Sequence, residues 1–389
     1  MTVGMLDGIT VLDLASVGPA ARASRWLADY GARVVKIGPV PDRRGVQIVP
    51  PFHSYSAHRG MQRALFDLKA PDGRDAFLRL ADTADVVLES FRPGVVDRLG
   101  IGWQAVSARN PRAVYCSTTG FGQSGPHAHW AGHDLNYLAV GGYLDCTGPG
   151  DHGGPPIPGA TVADSAGGGM HAVMAILAAL VRRATTGSGA YLDVAVADGV
   201  LALMALQVDE YLATGDVPGP RHGLLTGRYA CYDSYPASDG KWLTVAAIEP
   251  RFWENLCCAL DLDRWIAHQT DDAVQDDIRA DLRTAFGAKT RDEWTALLSP
   301  GDTCVAPVLT VPELVDDPQF AARRAFVEVE HPDHGTFRQV GPTFAGTTAA
   351  PARPYQVRDA TETDTDELLL AIGYTPDQCA ALRRAGAIA

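Results

Sequence analysis

Residues 8–37 alternate between strand and helix patterns, and this alternation is what most restricts the folds open to the chain. Gly8–Leu14 is short and rich in β-branched residues, Gly18–Tyr30 reads as a helix, and Ala32–Ile37 is a second strand. A strand, a helix and a strand in this order form a βαβ unit with parallel strands. The sequence therefore predicts an α/β fold built on a parallel sheet.

The same alternation continues through the first two hundred residues. Strand patterns recur at Asp85–Glu89, Ala113–Ser117 and Ala190–Val196, with helical stretches between them. Near-continuous apolar strands separated by helices are typical of a parallel sheet covered on both faces. We therefore expect a large, Rossmann-like parallel-sheet domain over residues 1–200.

Beyond residue 200 the pattern changes to that of a smaller α+β domain. A Gly- and Pro-rich passage suggests a linker over 201–230. Strand patterns on both sides of Ala237–Gly240 predict an antiparallel hairpin, followed by helices, in a small domain over 231–320. A second hairpin between Phe326 and Val340 opens a return segment, 321–389, that is expected to complete the large domain.

Charge and cysteine content exclude several classes of protein. With 33 basic and 46 acidic residues the net charge is −13, the wrong sign for a sequence-independent grip on nucleic acid. The seven cysteines include no Cys-x-x-Cys pair, which argues against zinc and for a reducing, cytoplasmic setting. Met1–Gly8 contains no basic cluster followed by an apolar stretch, so we expect no secretory signal. The longest apolar run, Met170–Val181, is too short to span a membrane and predicts a buried helix.

The common nucleotide and hydrolase motifs are missing. The turn after the first strand, Ala15–Ala20, lacks the Gly-x-Gly-x-x-Gly fingerprint of dinucleotide-binding enzymes. The sequence also has no P-loop, no Gly-x-Ser-x-Gly elbow and no His-Glu-x-x-His. The site chemistry must therefore come from less obvious segments.

One such segment is Gly132–Tyr137, where a loop ends and a helix is expected to begin. His133 would lie in the first helical turn, where the positive end of the helix dipole lowers an imidazole pKa and keeps a base neutral. The alternative is a capping or core histidine. Asp134 is explained equally well by its favourable interaction with the helix dipole.

A second segment, Val162–Met170, directly precedes the apolar helix. Asp164 is a candidate carboxylate there, with an N-cap role as the alternative. Gly167–Gly169 would destabilise a helix by about 1 kcal/mol each relative to alanine. The glycine run therefore indicates that either a packed helix or a ligand approaches the backbone closely.

A third candidate is Glu249, which lies where an apolar strand meets a helix that begins at Pro250. A carboxylate at this position could simply favour the helix N-terminus. Glu249 becomes a candidate only because it occurs together with the other two segments.

Gly132–Tyr137, Ala163–Gly169 and Ala247–Pro250 resemble the three active-site segments of alpha-methylacyl-CoA racemases, within the class III CoA-transferase (CaiB/BaiF) superfamily. Weaker matching pieces, in the same order, extend the resemblance along almost the whole chain. They are Leu6–Leu14, Asp29–Ile37, Phe66–Lys69, Ala84–Gly94, Arg98–Gly102 and Tyr232–Tyr235.

The resemblance implies roles for individual residues. His133 and Asp164 match the family's catalytic pair, and Glu249 matches the glutamate that orients the histidine. The acyl-CoA is a substrate, and no metal or redox cofactor is implied. The family's CoA contacts fall on Phe66, Asp67, Leu68, Lys69, Phe91, Arg92, Arg98, Gly132, Asp134, Asn136 and Tyr137. Family members are interlocked homodimers, so Glu249 is expected to act either in cis or from a partner subunit.

These residues suit inversion at the carbon next to a thioester. A proton must leave one face of C2 and another must arrive on the opposite face, so two bases are needed, here His133 and Asp164. Glu249 would hold the His133 tautomer. Backbone N–H groups at the start of the helix after Asp164 would stabilise the enolate oxygen. The expected activity is therefore racemisation of 2-methylacyl-CoA thioesters.

Two alternatives remain open. In a CoA-transferase of the same superfamily Asp164 would be a covalent nucleophile, although such enzymes carry a longer glycine run than Leu224–Ala230 provides. A catalytically silent acyl-CoA binder would need neither His133 nor Glu249.

The chain also departs from the family pattern in two places. Gly38-Pro39 replaces a charged residue after the second strand, so an adenine contact is expected from Arg43 or Arg44 if it exists. Gly227–Ala230 differs from the racemase pattern Gly-Gly-Ala-Pro near the acyl pocket, which leaves the acyl chain undetermined.

Overall fold

Strands and helices alternate along the described part of the chain, which in this computed structural model comprises residues 4–41, 51–148, 150, 153–345, 354–358 and 362–389. The strands are β1 (Thr10–Asp13), β2 (Arg33–Gly38), β3 (Gln62–Leu65), β4 (Val86–Glu89), β5 (Val114–Thr119), β6 (Ala190–Ala195), β7 (Tyr232–Pro236), β8 (Trp242–Ala246), β9 (Val305–Pro307), β10 (Phe326–His331), β11 (Gly335–Val340) and β12 (Tyr355–Gln356). The α-helices are α1 (Gly18–Asp29), α2 (Pro71–Ala81), α3 (Val95–Leu99), α4 (Trp103–Arg109), α5 (Asp134–Val140), α6 (Tyr143–Thr147), α7 (His171–Thr186), α8 (Val196–Leu203), α9 (Ala205–Thr214), α10 (Pro250–Ala259), α11 (Gln275–Phe286), α12 (Arg291–Leu298), α13 (Val311–Asp316), α14 (Pro318–Ala322), α15 (Thr365–Ala371) and α16 (Pro376–Arg384). A π-helical segment, Ala163–Met170, leads directly into α7.

Two compact units make up the chain. The large unit contains Met1–Gly141, Pro158–Ala205 and Pro318–Ala389, and the small unit contains Gly142–Ile157 and Leu206–Asp317. The chain thus leaves the large unit twice and returns to it at Pro158 and at Pro318.

A six-stranded parallel sheet with the order β3-β2-β1-β4-β5-β6 forms the centre of the large unit. Successive strand residues point to opposite faces, and here both faces are covered. Val11 packs in one apolar cluster with Leu27 and Ile176, whereas its neighbour Leu12 packs in another with Phe77. The predicted α/β fold with a parallel sheet is confirmed.

The strand order places a topological switch between β1 and β4. From β1 the chain proceeds to β2 and β3 on one side, and β4 begins the other half of the sheet. Connections leaving the carboxyl ends of these two strands diverge, and open parallel sheets bind ligands in the resulting crevice. The segments after Asp13 and Glu89 are therefore placed for ligand contact.

In the small unit β7, β8 and β9 form an antiparallel sheet. The β7–β8 hairpin turns at Ala237–Gly240, as predicted. Its apolar core includes Trp253, Phe286 and Trp294 from the helices α10, α11 and α12. The three helices thus share one core with the strand residues Tyr235 and Leu243.

A third sheet, β11-β10-β12, belongs to the return segment in the large unit, and its β10–β11 hairpin was also predicted.

The helical stretch Ala163–Thr186 is the one in the described residues that is long and apolar enough to cross a membrane. Core helices pass the same test, and α7 buries Ala172, Val173, Ile176 and Ala179 beneath the sheet. The prediction of a buried helix is therefore right for this face only, because Met174 and Val181 of the same run are exposed.

Candidate functional site

His133 immediately precedes α5 and occupies its N-cap position, one residue before the first turn that the sequence predicted. Its backbone is extended, with φ −129° and ψ 179°, and its N–H donates to Asn136 Oδ1 at 3.0 Å. The residue is exposed, so the core interpretation is wrong, whereas its N-cap position leaves the capping alternative open. The N–H and the carbonyl oxygen of His133 both form hydrogen bonds with Asn136, and its side chain is accessible from solvent.

Asp164 lies in the π-helical segment, a helix type that recurs at functional sites. Val162 is the N-cap of that segment, so the capping interpretation of Asp164 is wrong. The Asp164 N–H donates to Asp134 Oδ1 at 2.8 Å. This bond ties the aspartate's backbone to the residue that follows His133, although 30 residues separate the two positions.

Several neighbouring groups shift the pKa of the Asp164 carboxyl, and His133 is among them. Burial raises the pKa of the Asp164 carboxyl, and the Asp134 charge raises it further. The Arg22 guanidinium and, to a smaller extent, His133 lower this pKa. Asp164 and His133 are therefore close enough to interact, and their role as a pair of bases stays a prediction.

Helix packing, rather than a ligand, explains the glycine run. A Cβ on Gly168 would lie 2.5 Å from Pro19, and one on Gly167 would lie 2.9 Å from the carbonyl oxygen of Val196. Both distances are too short for real side-chain contacts. The glycines allow α1 and α8 to approach the segment that carries Asp164.

The predicted enolate donors after Asp164 are only partly available. The N–H of Asp164 is bound to Asp134, and the N–H of Ser165 donates to the carbonyl oxygen of Thr161 at 3.0 Å. A donor that is already paired cannot receive a developing oxyanion without losing its partner. The Ser165 amide is therefore excluded as an enolate donor, whereas a role for the amides that follow it stays a prediction.

Tyr137 is buried and serves as a wall of the site. Its hydroxyl donates to the carbonyl oxygen of Gly132 at 2.5 Å, and its ring packs edge-on against Phe121. A Cβ on Gly132 would lie 2.8 Å from this ring, and a Cβ on Gly120 would lie 2.4 Å from it. Burial, with the nearby charges of Asp164 and Asp134, raises the pKa of Tyr137 to about 12. The residue stays neutral and fixes the loop in front of α5.

The predicted CoA contacts fall into buried and exposed groups. Phe66 is 1% exposed and lies in the core, so its side chain has no surface to offer a ligand. Asp67 is also buried, and its Oδ1 accepts the Lys69 N–H at 3.1 Å. Leu68 and Phe91 are partly buried against the same core. These four residues shape the backbone of the predicted contact loops.

Lys69, Arg92 and Arg98 are the exposed cations of the predicted set. Arg92 follows β4 at the switch point, and Arg98 lies in α3. Neither arginine forms an ion pair with another residue in the described ranges. A half-open cleft of about 360 Å³ adjoins α3 and is lined by Asp97, Gly100, Gly102, Gln104 and Ala105. Free guanidinium groups at these positions are well suited to bind phosphate.

Sequence reasoning missed Glu89, the last residue of β4. Its side chain is 1% exposed, and its Oε2 accepts the Phe91 N–H at 2.7 Å. Burial raises the pKa of Glu89 to about 7. The available signal was an acidic residue at the end of an otherwise apolar strand, at the switch point. Glu89 holds the loop that carries Arg92.

Glu89→Gln should make the protein more stable at pH 8. The native pKa lies above the ordinary value of 4.5, so the contribution of Glu89 to stability is full below pH 4.5 and is lost as the pH rises through about 7. The amide keeps an acceptor for Phe91 and has no charge to bury. We expect a gain on the order of 2 kcal/mol at pH 8 in the free energy of unfolding, measured by urea denaturation, and little change at pH 5. Glu367→Gln, an exposed substitution in α15, is the control. Lower stability of Glu89→Gln at pH 8 would contradict this account.

Glu249 belongs to the small unit and is the N-cap of α10, with Pro250 at the first helical position. Its carbonyl oxygen accepts the Trp253 N–H at 3.1 Å. The side chain is exposed, and burial of Cys304 together with the Glu249 charge raises the pKa of that thiol. The predicted pairing of Glu249 with His133 stays a prediction.

The two departures from the family pattern have different outcomes. Arg43 and Arg44, the predicted adenine contacts, lie outside the described residues. Gly38, which replaces the charged residue of the family pattern, is the last residue of β2. In the small unit Arg228 forms an ion pair with Asp272 at 2.8 Å. That pairing gives Arg228 a structural partner next to the predicted acyl-pocket segment.

No group of three or more His, Cys, Asp or Glu side chains in the described ranges is arranged to hold a metal ion.

Comparison with known proteins gives a consistent result. Residues 6–357 match CoA-transferase family III. The chain is 32% identical to alpha-methylacyl-CoA racemase of Homo sapiens, over 96% of this chain and 94% of the relative. It is 31% identical to acetyl-CoA:oxalate CoA-transferase of Acetobacter aceti, over 84% of this chain and 86% of the relative. Both a racemase and a transferase are thus among its relatives.

A solved structure shares this fold. A CAIB/BAIF family protein from Brucella suis superposes with a TM-score of 0.75 at 28% identity, over 95% of this chain and all of the other. The resemblance inferred from the three segments is confirmed at the level of the family, which supports an acyl-CoA racemase or CoA-transferase. The chain belongs to CoA-transferase family III.

Proposed function

We propose that this protein is a racemase that inverts the C2 stereocentre of 2-methylacyl-CoA thioesters. The observation that supports this most is the hydrogen bond from the Asp164 N–H to the side chain of Asp134, the residue that directly follows His133. A carboxylate and an imidazole in one site meet the requirement of C2 inversion for two proton-transfer groups. The similarity to a human alpha-methylacyl-CoA racemase supports the same conclusion.

In the proposed mechanism Asp164 and His133 work from opposite faces of C2. For one enantiomer Asp164 removes the C2 proton, and protonated His133 delivers a proton to the other face. For the opposite enantiomer neutral His133 removes the proton and protonated Asp164 returns one. Each direction leaves the pair in the protonation state that starts the reverse direction. The homodimer, the orienting role of Glu249, the absence of a cofactor and the cytoplasmic location remain predictions.

Deuterium exchange tests this function directly. The protein is incubated in D₂O with one enantiomer of a 2-methylacyl-CoA and no free carboxylate. A racemase should incorporate deuterium at C2, detected by mass spectrometry, while the optical purity of the acyl group falls. No exchange, together with CoA transfer to an added carboxylate, would contradict the proposal.

The second candidate is a CoA-transferase that uses Asp164 as a nucleophile. The ion pair between Arg22 and Asp164 favours it, because an ionised carboxylate is the form that attacks a thioester carbonyl. Relatives named as CoA-transferases support it too. The exposed His133 next to the aspartate favours the racemase, since carboxylate attack needs no second base.

Arg98→Ala should weaken binding of CoA thioesters. A charge-assisted hydrogen bond contributes about 1.5–3 kcal/mol, so we expect Kd to rise about 10- to 100-fold while kcat stays within about twofold. The measurement is titration calorimetry with a non-reactive CoA thioether. Arg384→Ala, another exposed arginine in the large unit, should bind normally. Unchanged affinity in Arg98→Ala would exclude a phosphate contact there.

A further inference from the structure

Arg22 contacts the candidate catalytic aspartate from α1. Its Nη1 lies 3.6 Å from Asp164 Oδ2, and the two side chains are only 22% and 17% exposed. None of the three active-site segments contains Arg22, and 142 positions separate the pair along the chain. A cation this close to a partly buried carboxylate acts on the proton affinity of that carboxylate.

Other partners hold the guanidinium in place. Arg22 Nη2 donates to Thr161 Oγ1 at 2.7 Å, and Nη1 lies 3.3 Å from the carbonyl oxygen of Gly18. The group also lies over the ring of Tyr55, 5.3 Å from its centroid. The Tyr55 hydroxyl in turn accepts the Gly18 N–H at 2.8 Å. Arg22 is therefore positioned before any substrate binds, and its position does not depend on Asp164.

The backbones of the two elements are packed in a fixed register. A Cβ on Gly169 would lie 2.8 Å from the Trp26 ring and 3.2 Å from both Arg22 Cβ and the carbonyl oxygen of Asp164. With no side chain between them, α1 and the π-helical segment cannot slide apart without losing this contact. The ion-pair distance is thus set by the fold.

Several charged and titratable groups face the Asp164 carboxylate. Arg22 comes from α1, while His133, Asp134 and Tyr137 come from the loop and first turn of α5. Burial and Asp134 favour the protonated acid, and Arg22 is the largest influence in the opposite direction, ahead of His133. An arginine keeps its charge at every pH at which the enzyme would work.

We propose that Arg22 is a positioning residue that holds Asp164 ionised and fixed in orientation, so that the resting enzyme presents the Asp164 carboxylate to the substrate. This inference rests on the proposed function, because it assigns the state from which that reaction starts. The form with one proton on the pair is the active one, and a second proton inactivates it. By resisting that second proton, Arg22 extends activity to lower pH.

The test is the pH dependence of kcat/KM for C2 exchange in the wild type, Arg22→Gln and Arg22→Lys. The acid limb of such a profile reports the essential base of the free enzyme. Loss of an adjacent cation raises the pKa of a carboxyl by about 1–3 units. We expect the acid limb of Arg22→Gln to move up by at least about one pH unit, with about a tenfold greater loss at pH 5.5 than at pH 8. Arg22→Lys should restore most of the shift.

Two further variants make the result decisive. Arg182→Gln removes an exposed arginine from α7 and should leave the profile unchanged. Thr161→Ala removes only the hydroxyl that anchors Nη2 and should shift the acid limb in the same direction as Arg22→Gln, by less. It provides the test if Arg22→Gln does not fold. A uniform fall in rate with an unmoved acid limb would show a merely structural role and overturn the inference.

The two proposals fail in different ways. If the wild type exchanges no C2 hydrogen, the racemase proposal fails, and the same profiles are then measured on CoA transfer, which also requires ionised Asp164. If the wild type exchanges hydrogen but the acid limb of Arg22→Gln is unmoved, the role of Arg22 alone is wrong.

Discussion

Replacing His133 with alanine should lower the rate of C2 inversion by about 10²- to 10⁴-fold, the usual contribution of a positioned general base. The imidazole is one of the two groups that exchange protons with C2, and alanine cannot accept or donate one. The side chain is exposed and its hydrogen bonds are made by the backbone, so the fold and the α5 cap should survive. The measurement is the loss of optical purity of a 2-methylacyl-CoA followed over time.

Affinity and stability provide the controls for this variant. His133→Ala should bind a CoA thioether about as well as the wild type and unfold at the same urea concentration. His129→Ala, an exposed histidine on the same loop, should racemise normally. A His133→Ala protein that inverts C2 at the wild-type rate would rule out the two-base scheme.

Asp164→Asn should have a comparable effect on inversion and a more informative effect on exchange. The amide keeps the shape of the carboxylate but can neither remove nor return a proton at pH 7. We expect inversion to fall by about 10²- to 10⁴-fold in both directions. His133 can still remove and replace the proton on its own face, so deuterium should enter one enantiomer without inversion. Each pure enantiomer in D₂O, analysed by mass spectrometry and chiral separation, gives the measurement.

This asymmetry separates the two candidate reactions. A CoA-transferase that depends on an Asp164 nucleophile should exchange no C2 hydrogen in any form and lose transfer in Asp164→Asn. Asp377→Asn, an exposed substitution in α16, controls for the loss of a surface carboxylate. Equal exchange into both enantiomers by Asp164→Asn would show that Asp164 is not one of the bases.

Local patterns predicted the elements of the fold well. The βαβ start, the parallel arrangement of the large sheet and both hairpins follow from periodicity and turn residues, which act over short distances in sequence. The three candidate segments were found through the resemblance to the family, since each is a short run of residues. His133 lies one position outside its predicted turn because the helix begins at Asp134. Such errors at element ends are small.

Contacts between distant segments could not be predicted in the same way. Arg22 reaches Asp164 only because α1 packs on the π-helical segment, and no periodicity in either segment encodes that approach. The resemblance implies a CoA contact at Phe66, whereas the structure buries the ring of this residue in the core. The hydrogen bond of the Asp164 N–H likewise depends on Asp134, which is distant in sequence. The bond from the Ser165 N–H to Thr161 belongs to a helix type that a sequence pattern does not distinguish from an α-helix.

Close packing of glycines around the aspartate limits how this enzyme can evolve. A methyl group on Gly199 would lie 1.9 Å from the carbonyl oxygen of Gly167, and α8 would have to move away to admit it. Natural variation that accommodates a longer or bulkier acyl chain is therefore barred from the backbone behind Asp164. New substrate preferences should instead accumulate in segments remote from these glycines.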